Sequence, residues 1–153
     1  HPCFNEEQEE FKRLFIQKLS ARLKKTGHDS QIEIEDPFLY APNIEGKIEE
    51  KLKLSKEIKS ICLGLLEECD VVIALIDWED TGVAFEAGYA HSLNIPVILV
   101  SGRTCNAANA MLIGASKAII DNVLEESGLE KLADILEWFF VSKNSFPASP
   151  INN

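Results

Sequence analysis

The sequence predicts an α/β protein: residues 1–153 as one domain built on an open, doubly wound parallel sheet, a flavodoxin-like or Rossmann-like three-layer sandwich. Three observations carry that expectation. The run Asp70-Val-Val-Ile-Ala-Leu-Ile-Asp77 is apolar without alternation, as a strand covered on both faces of a parallel sheet must be. A second such run, Pro96-Val-Ile-Leu-Val100, follows after a helix-length segment. Strands separated by helices of that length make right-handed crossovers, which place helices on both faces of one sheet.

The elements follow in order. Over residues 6–24, Phe11, Leu14, Phe15, Leu19 and Leu23 recur at three- and four-residue spacing, a one-sided helix that Thr26-Gly27 should stop. Residues 31–36, QIEIED, alternate as a short strand does, and the Pro37 to Pro42 stretch turns the chain away. Residues 47–69 predict a second long helix with Ile48, Leu52, Ile58, Cys62, Leu65 and Leu66 on one face. After the strand at 70–77 come a helix over 82–93, the strand at 96–100, a short helix over 109–113, a strand at 117–120 and a helix over 124–141. A chain whose first element is a helix lacks the strand that normally opens such a sheet, so a short apolar strand is expected ahead of His1. The tail SKNSFPASPINN is polar and contains proline, and is expected to be loose or docked on a neighbour.

Composition excludes several functions. Twenty-five acidic against fifteen basic residues give a formal charge of -10, so the chain lacks the positive surface that nucleic acid requires. The apolar runs fall short of the ~20 residues of a membrane span, and a cytosolic location is expected. Cys3, Cys62, Cys69 and Cys105 show neither a C-x-x-C nor a Cys/His metal spacing. They read as reduced, packed thiols, with neither metal nor cofactor implied.

The stretch DWEDTGVAFEAGYA, residues 77–90, poses the chemical question. Its helix has Val83, Ala84, Phe85, Ala87, Gly88 and Ala90 as inner positions, yet carries a carboxylate, Glu86, among them. An ionised acid withdrawn from water is costly unless it is paired or used. In sheets of this kind ligands bind beyond the carboxyl ends of the strands, where Asp77 and Asp80 fall. Asp80 or Thr81 caps the helix, Gly82 lets a ligand approach the backbone, and Glu86 lies one turn on from Gly82 along the same face. The pattern suits two carboxylates around one pocket, Asp80 at the rim and Glu86 deeper, with the helix N-terminus favouring ionisation of Glu86. A buried carboxylate suits nucleophilic attack on an anomeric carbon. The plain alternative is a Glu paired with Lys or Arg, or turned outward. Trp78 either gates the pocket or covers the strand end. His28 and His91 read as solvated, and Glu33 and Glu35 as facing solvent from one side of their strand.

The run D-W-E-D-T-G-V-A-F-E-A-G-Y-A, with S-L-N-I-P-V-I-L-V behind it, resembles the D-x-G-x-x-x-E-x-G-x-A signature of the nucleoside 2-deoxyribosyltransferase family. Asn109-Ala-Met111-Leu-Ile-Gly114 resembles the family's N-x-M segment, Lys117-Ala-Ile-Ile-Asp121 its last strand, and His1-Pro2-Cys3-Phe4 the end of its first. The resemblance implies transfer of a 2-deoxyribosyl group between nucleobases through a deoxyribosyl-glutamate ester. It makes Glu86 the nucleophile, Asp80 the acid that binds the sugar 5′-hydroxyl, and Phe4 the aromatic beside the base. Asn109 would reach a neighbouring subunit's site, so a homo-oligomer of at least two chains is implied. The partners implied are a deoxynucleoside and a free nucleobase, with no cofactor. Two positions depart from the pattern: Cys62 stands where the family often has Asp or Asn to touch the base, and the chain ends Ile151-Asn152-Asn153 rather than in a tyrosine. Two other readings stand beside this one. One is a 2-deoxynucleoside 5′-monophosphate N-glycosidase. The other is a non-enzymatic receiver-like module using Asp77, Ser101 and Lys117, which leaves Glu86 without a role and puts Lys117 at the start of its strand.

Overall fold

The computed structural model describes residues 6–27, 32–37, 47–78, 80–103 and 109–145, with 141–145 as backbone alone. Among them the order is α1 (Glu6–Thr26), α2 (Ile48–Glu68), β1 (Val72–Leu75), α3 (Thr81–Ser92), β2 (Val97–Val100), α4 (Ala110–Ala115), β3 (Ala118–Ile120) and α5 (Glu126–Ser145). The three strands form one open parallel sheet in the order β1-β2-β3. Val72 faces Val97 at one end of the β1–β2 register and Leu75 faces Val100 at the other; Ile98 to Val100 pair with Ala118 to Ile120.

Every residue of β2 is buried, and the strand's alternation sends its side chains to two separate cores. Ile98 and Val100 join Phe15, Leu19 and Leu23 of α1 and Leu129, Leu132 and Leu136 of α5 on one face. Val97 and Leu99 join Ala74 of β1 and Ala87 and Ala90 of α3 on the other, with Leu112 of α4 packed against them. Helices thus cover both faces of the sheet. Fully burying a side chain of this kind is worth roughly 1.5–3 kcal/mol, so the four residues of β2 anchor both layers.

Local chemistry explains the helix ends. Glu6, Glu7 and Glu9 open α1 and Lys24 and Lys25 close it, each charge set against the macrodipole end that favours it. After α3 the chain reverses through Asn94 at φ 61°, a left-handed conformation that Asn tolerates better than most residues.

Three expectations need correction. Residues 32–36 pair with no strand among the described residues; Ile32 and Ile34 pack on the α1/α5 core, which the alternation did encode, while a ladder partner is a long-range matter. In α3 only Ala87 and Ala90 are buried, and Phe85 is 55% exposed. Small side chains let this helix approach the sheet closely, and a helix apolar on all sides gives no periodic signal for which side does so. Finally, α2 contains no buried residue, and Ile48 and Leu52, expected on its inner face, are exposed. The periodicity there is met only in part, since Ile58, Cys62 and Leu65 do line cavities.

Leu132 is wholly buried among α1, β2 and α5. Leu132→Ala is expected to destabilise the protein by about 2–5 kcal/mol, measured by urea denaturation. A loss under about 1 kcal/mol would show that the α1/α5 layer does not pack on the sheet as described.

Candidate active site

The carboxyl ends of β1 and β2 carry the polar residues. Asp77 follows β1 with a side chain only 2% exposed. Its Oδ1 accepts hydrogen bonds from Ser101 Oγ at 2.9 Å and Arg103 Nε at 3.3 Å, and its Oδ2 accepts from the Gly102 amide at 2.9 Å. Trp78 comes next, edge-on to Phe11 with ring centroids 5.2 Å apart. It lines the larger cavity.

Asp80 is the N-cap of α3. Its Oδ1 accepts from the Gly82 amide at 2.7 Å and, more weakly, from Val83 at 3.4 Å. A Cβ on Gly82 would stand 2.9 Å from that same oxygen, so glycine here leaves room for the cap. One carboxylate oxygen is committed to the helix start; the other, Oδ2, makes neither of these bonds.

Glu86 lies one turn further and separates two cavities. The larger, about 550 Å³, brings Glu86 together with Asp80, Trp78 and Val83. It extends along β1 past Ile73 and Val71 towards Cys69 and the Ile32 to Asp36 stretch. The smaller, about 230 Å³, is shared by Glu86, Gly82 and Phe85 of α3 with Ile58, Lys59 and Cys62 of α2. Burial raises the carboxyl pKa of Glu86 above its ordinary value; a hydrogen bond with the Cys62 side chain lowers it again in part, and the charge of Asp80 adds to the rise. Lys59 faces the smaller cavity but is not among the causes of this shift, so the paired-Glu alternative gains no support from the shift.

The expected site residues therefore divide. The structure brings Asp80 and Glu86 to one cavity and Gly82 and Glu86 to another. Asn109 is the N-cap of α4, its Oδ1 accepting from the Met111 amide at 2.8 Å, and it lines neither cavity. Phe4, like His28, lies outside the described residues. Cys62 is the neighbour that helix spacing could not reveal, because α2 and α3 meet only in the fold. At the far end of the larger cavity, burial and the charges of Glu35, Asp70 and Glu68 push the Cys69 thiol up, away from reactivity. His91 and Glu33 are exposed, as expected. Glu35 is also exposed, yet near enough to act on Cys69. Lys117 sits just ahead of β3, at the sheet end opposite Asp77 and Ser101, which weighs against a receiver-like triad.

A sequence profile described as nucleoside 2-deoxyribosyltransferase matches residues 2–130, and the chain belongs to that family. Among solved structures it is similar to the 2-deoxyribosyltransferase of the psychrotolerant bacterium Bacillus psychrosaccharolyticus, with 25% identity and a TM-score of 0.54 over 84% of this chain and 90% of that one. No functionally curated protein sequence matches the chain. Among the described residues no helix is long and apolar enough to cross a membrane.

The raised pKa of Glu86 sets a pH dependence. A carboxyl whose folded-state pKa lies above the unfolded value gives its stabilising contribution fully in acid and loses it as pH rises through the folded pKa. Glu86→Gln, which cannot ionise, is expected to gain stability over wild type between about pH 4 and pH 8. Urea denaturation at both pH values measures this. A difference that does not change with pH would contradict the burial of Glu86.

Proposed function

We propose that the protein transfers a 2-deoxyribosyl group between nucleobases, with Glu86 as the nucleophile. The observation that carries this reading is the placement of Glu86: a carboxylate made more basic by burial, at the wall of two cavities, on the helix capped by Asp80, which keeps a carboxylate oxygen outside the cap bonds. Family membership supplies the substrate class. In the reaction a Glu86 oxygen bonds to C1′ as the C1′–N bond breaks, and its electron pair leaves with the base. A nitrogen of a second base then attacks C1′ and releases Glu86; the retained configuration follows from two displacements. Greater basicity strengthens the ionised carboxylate for the first step.

Asp80 Oδ2 is assigned to the sugar 5′-hydroxyl, Gly82 to the close approach of the ligand, Phe4 to the base and Asn109 to a neighbouring subunit's site. The finer fold belongs to the same reading. The edge of β1 away from β2 borders the larger cavity, with Ile32 and Ile34 across it, which gives room for a further strand of a doubly wound, flavodoxin-like sheet.

Support for an oligomer comes from apolar side chains exposed on one chain: Ile48 and Leu52 of α2, Phe85 of α3, and Met111 and Ile113 of α4, with Met111 82% exposed. Large apolar side chains left exposed on three successive helices are what a subunit contact would cover.

The deciding experiment incubates the protein with a 2′-deoxynucleoside, with and without a second base, and follows products by chromatography. A new nucleoside is expected, and Glu86→Ala should lower turnover by several powers of ten. Release of free base without acceptor would point to the hydrolase. Asp80 repels a 5′-phosphate of charge about -2, so deoxynucleosides should be used at least about tenfold better than their 5′-monophosphates. The reverse preference would replace transfer by monophosphate hydrolysis.

If Asn109 serves a neighbouring chain, mixing inactive Glu86→Ala with impaired Asn109→Ala should recover activity above either alone once subunits exchange. Light scattering should show at least a dimer. A fully active monomer would remove the shared-site arrangement.

A further inference from the structure

Asp77 is a buried acid that the proposed reaction does not use. It lines neither cavity, so it does not touch a ligand there. Among the described residues its three donors come from the chain just past β2: the Ser101 hydroxyl, the Gly102 amide and Arg103 Nε. The Ser101 hydroxyl oxygen also accepts from the Arg103 amide at 3.2 Å, which closes the 101–103 turn on itself. Ser101 is tied further to β3, its amide donating to Ile120 O and its carbonyl accepting from Val123 N.

A second, apolar layer lies against the first. Phe11 of α1 packs on Trp78, the next residue after Asp77, and a Cβ on Gly102 would collide with the Phe11 ring. The turn after β1 is thus held from the polar side by Asp77 and from the apolar side by Trp78. Two residues beyond Trp78, Asp80 donates its amide to Trp78 O at 2.9 Å and caps α3.

We propose that Asp77 is a positioning residue that registers the start of α3, and with it the cap residue Asp80, against the carboxyl end of β2. The assignment rests on the transferase reading of the site. Its physical basis is reach. A buried carboxylate with three donors on one neighbouring turn has little freedom to shift, and only Trp78 and residue 79 separate it from the cap residue assigned to the sugar hydroxyl. Arg103 is 70% exposed and its bond is the longest of the three, so Ser101 and Gly102 carry most of the restraint.

The test is steady-state kinetics with a 2′-deoxynucleoside and a second base, together with thermal melting, for wild type, Asp77→Asn and Ser101→Ala. Asn keeps the side chain's size, but an amide cannot accept from the Ser101 hydroxyl and the Gly102 amide on both of its ends. Because the sugar hydroxyl is bound in ground and transition states alike, its displacement raises KM more than it lowers kcat. The expected result is a KM raised about tenfold in Asp77→Asn and about threefold in Ser101→Ala, each with a smaller change in kcat. A KM within about twofold of wild type in Asp77→Asn, with only the melting temperature lowered, would make Asp77 a fold residue and overturn the proposal. Should Asp77→Asn fail to fold, Ser101→Ala decides by the same criterion. Glu86→Ala in the same assay separates the two readings. Turnover retained there removes the site and this inference together; turnover lost there with KM unchanged in Asp77→Asn removes the inference alone.

Discussion

The rest of the molecule depends on the division of β2 between two cores. Four consecutive residues, Val97 to Val100, are removed from water, and a pleated strand must hand them alternately to opposite faces. One face takes α1 and α5 through leucines and Phe15; the other takes α3 through alanines. The unequal partners have a consequence. The leucine side forms a thick layer, while Ala87 and Ala90 bring the α3 backbone close to the sheet. Glu86, next to Ala87, is drawn inward with it, and so a carboxylate ends up half-buried between cavities.

Asp77, Asp80 and Glu86 show how environment sets one functional group into different surroundings. Asp77 has three donors and no cavity. Asp80 gives one oxygen to the helix cap and borders the larger cavity. Glu86 is left with a thiol partner and the penalty of burial. Satisfaction falls along the chain as access to the cavities rises. An acid tied by three donors and set away from the cavities suits structure, and one poorly compensated at a cavity wall suits chemistry, because a reacting atom can replace what the fold withholds.

Much of this is legible in the sequence, for definite reasons. The strands at 72–75 and 97–100 are apolar without interruption, α1 repeats its apolar face through Phe15, Leu19 and Leu23, and Glu86 stands out because the helix around it is apolar. What escapes is what depends on distant neighbours. Residues 32–36 alternate like a strand, but alternation cannot supply a ladder partner. The inward side of α3 is hidden because the helix is apolar all round. The donors of Asp77 lie more than twenty residues away along the chain, and Cys62 reaches Glu86 only because α2 packs on α3.

Asp80 both caps α3 and borders the larger cavity. Its Oδ1 holds the Gly82 amide, and the small size of Gly82 keeps that bond unobstructed. A ligand hydroxyl that donates to Oδ2 would polarise the same carboxylate, so binding and the integrity of the first turn of α3 are coupled. Glu86 follows one turn later on that helix. Any group that pulls Asp80 from its cap position also moves the frame on which Glu86 stands. On the proposed transferase reading, recognition at the rim and attack deeper in the cavity would both depend on where α3 begins.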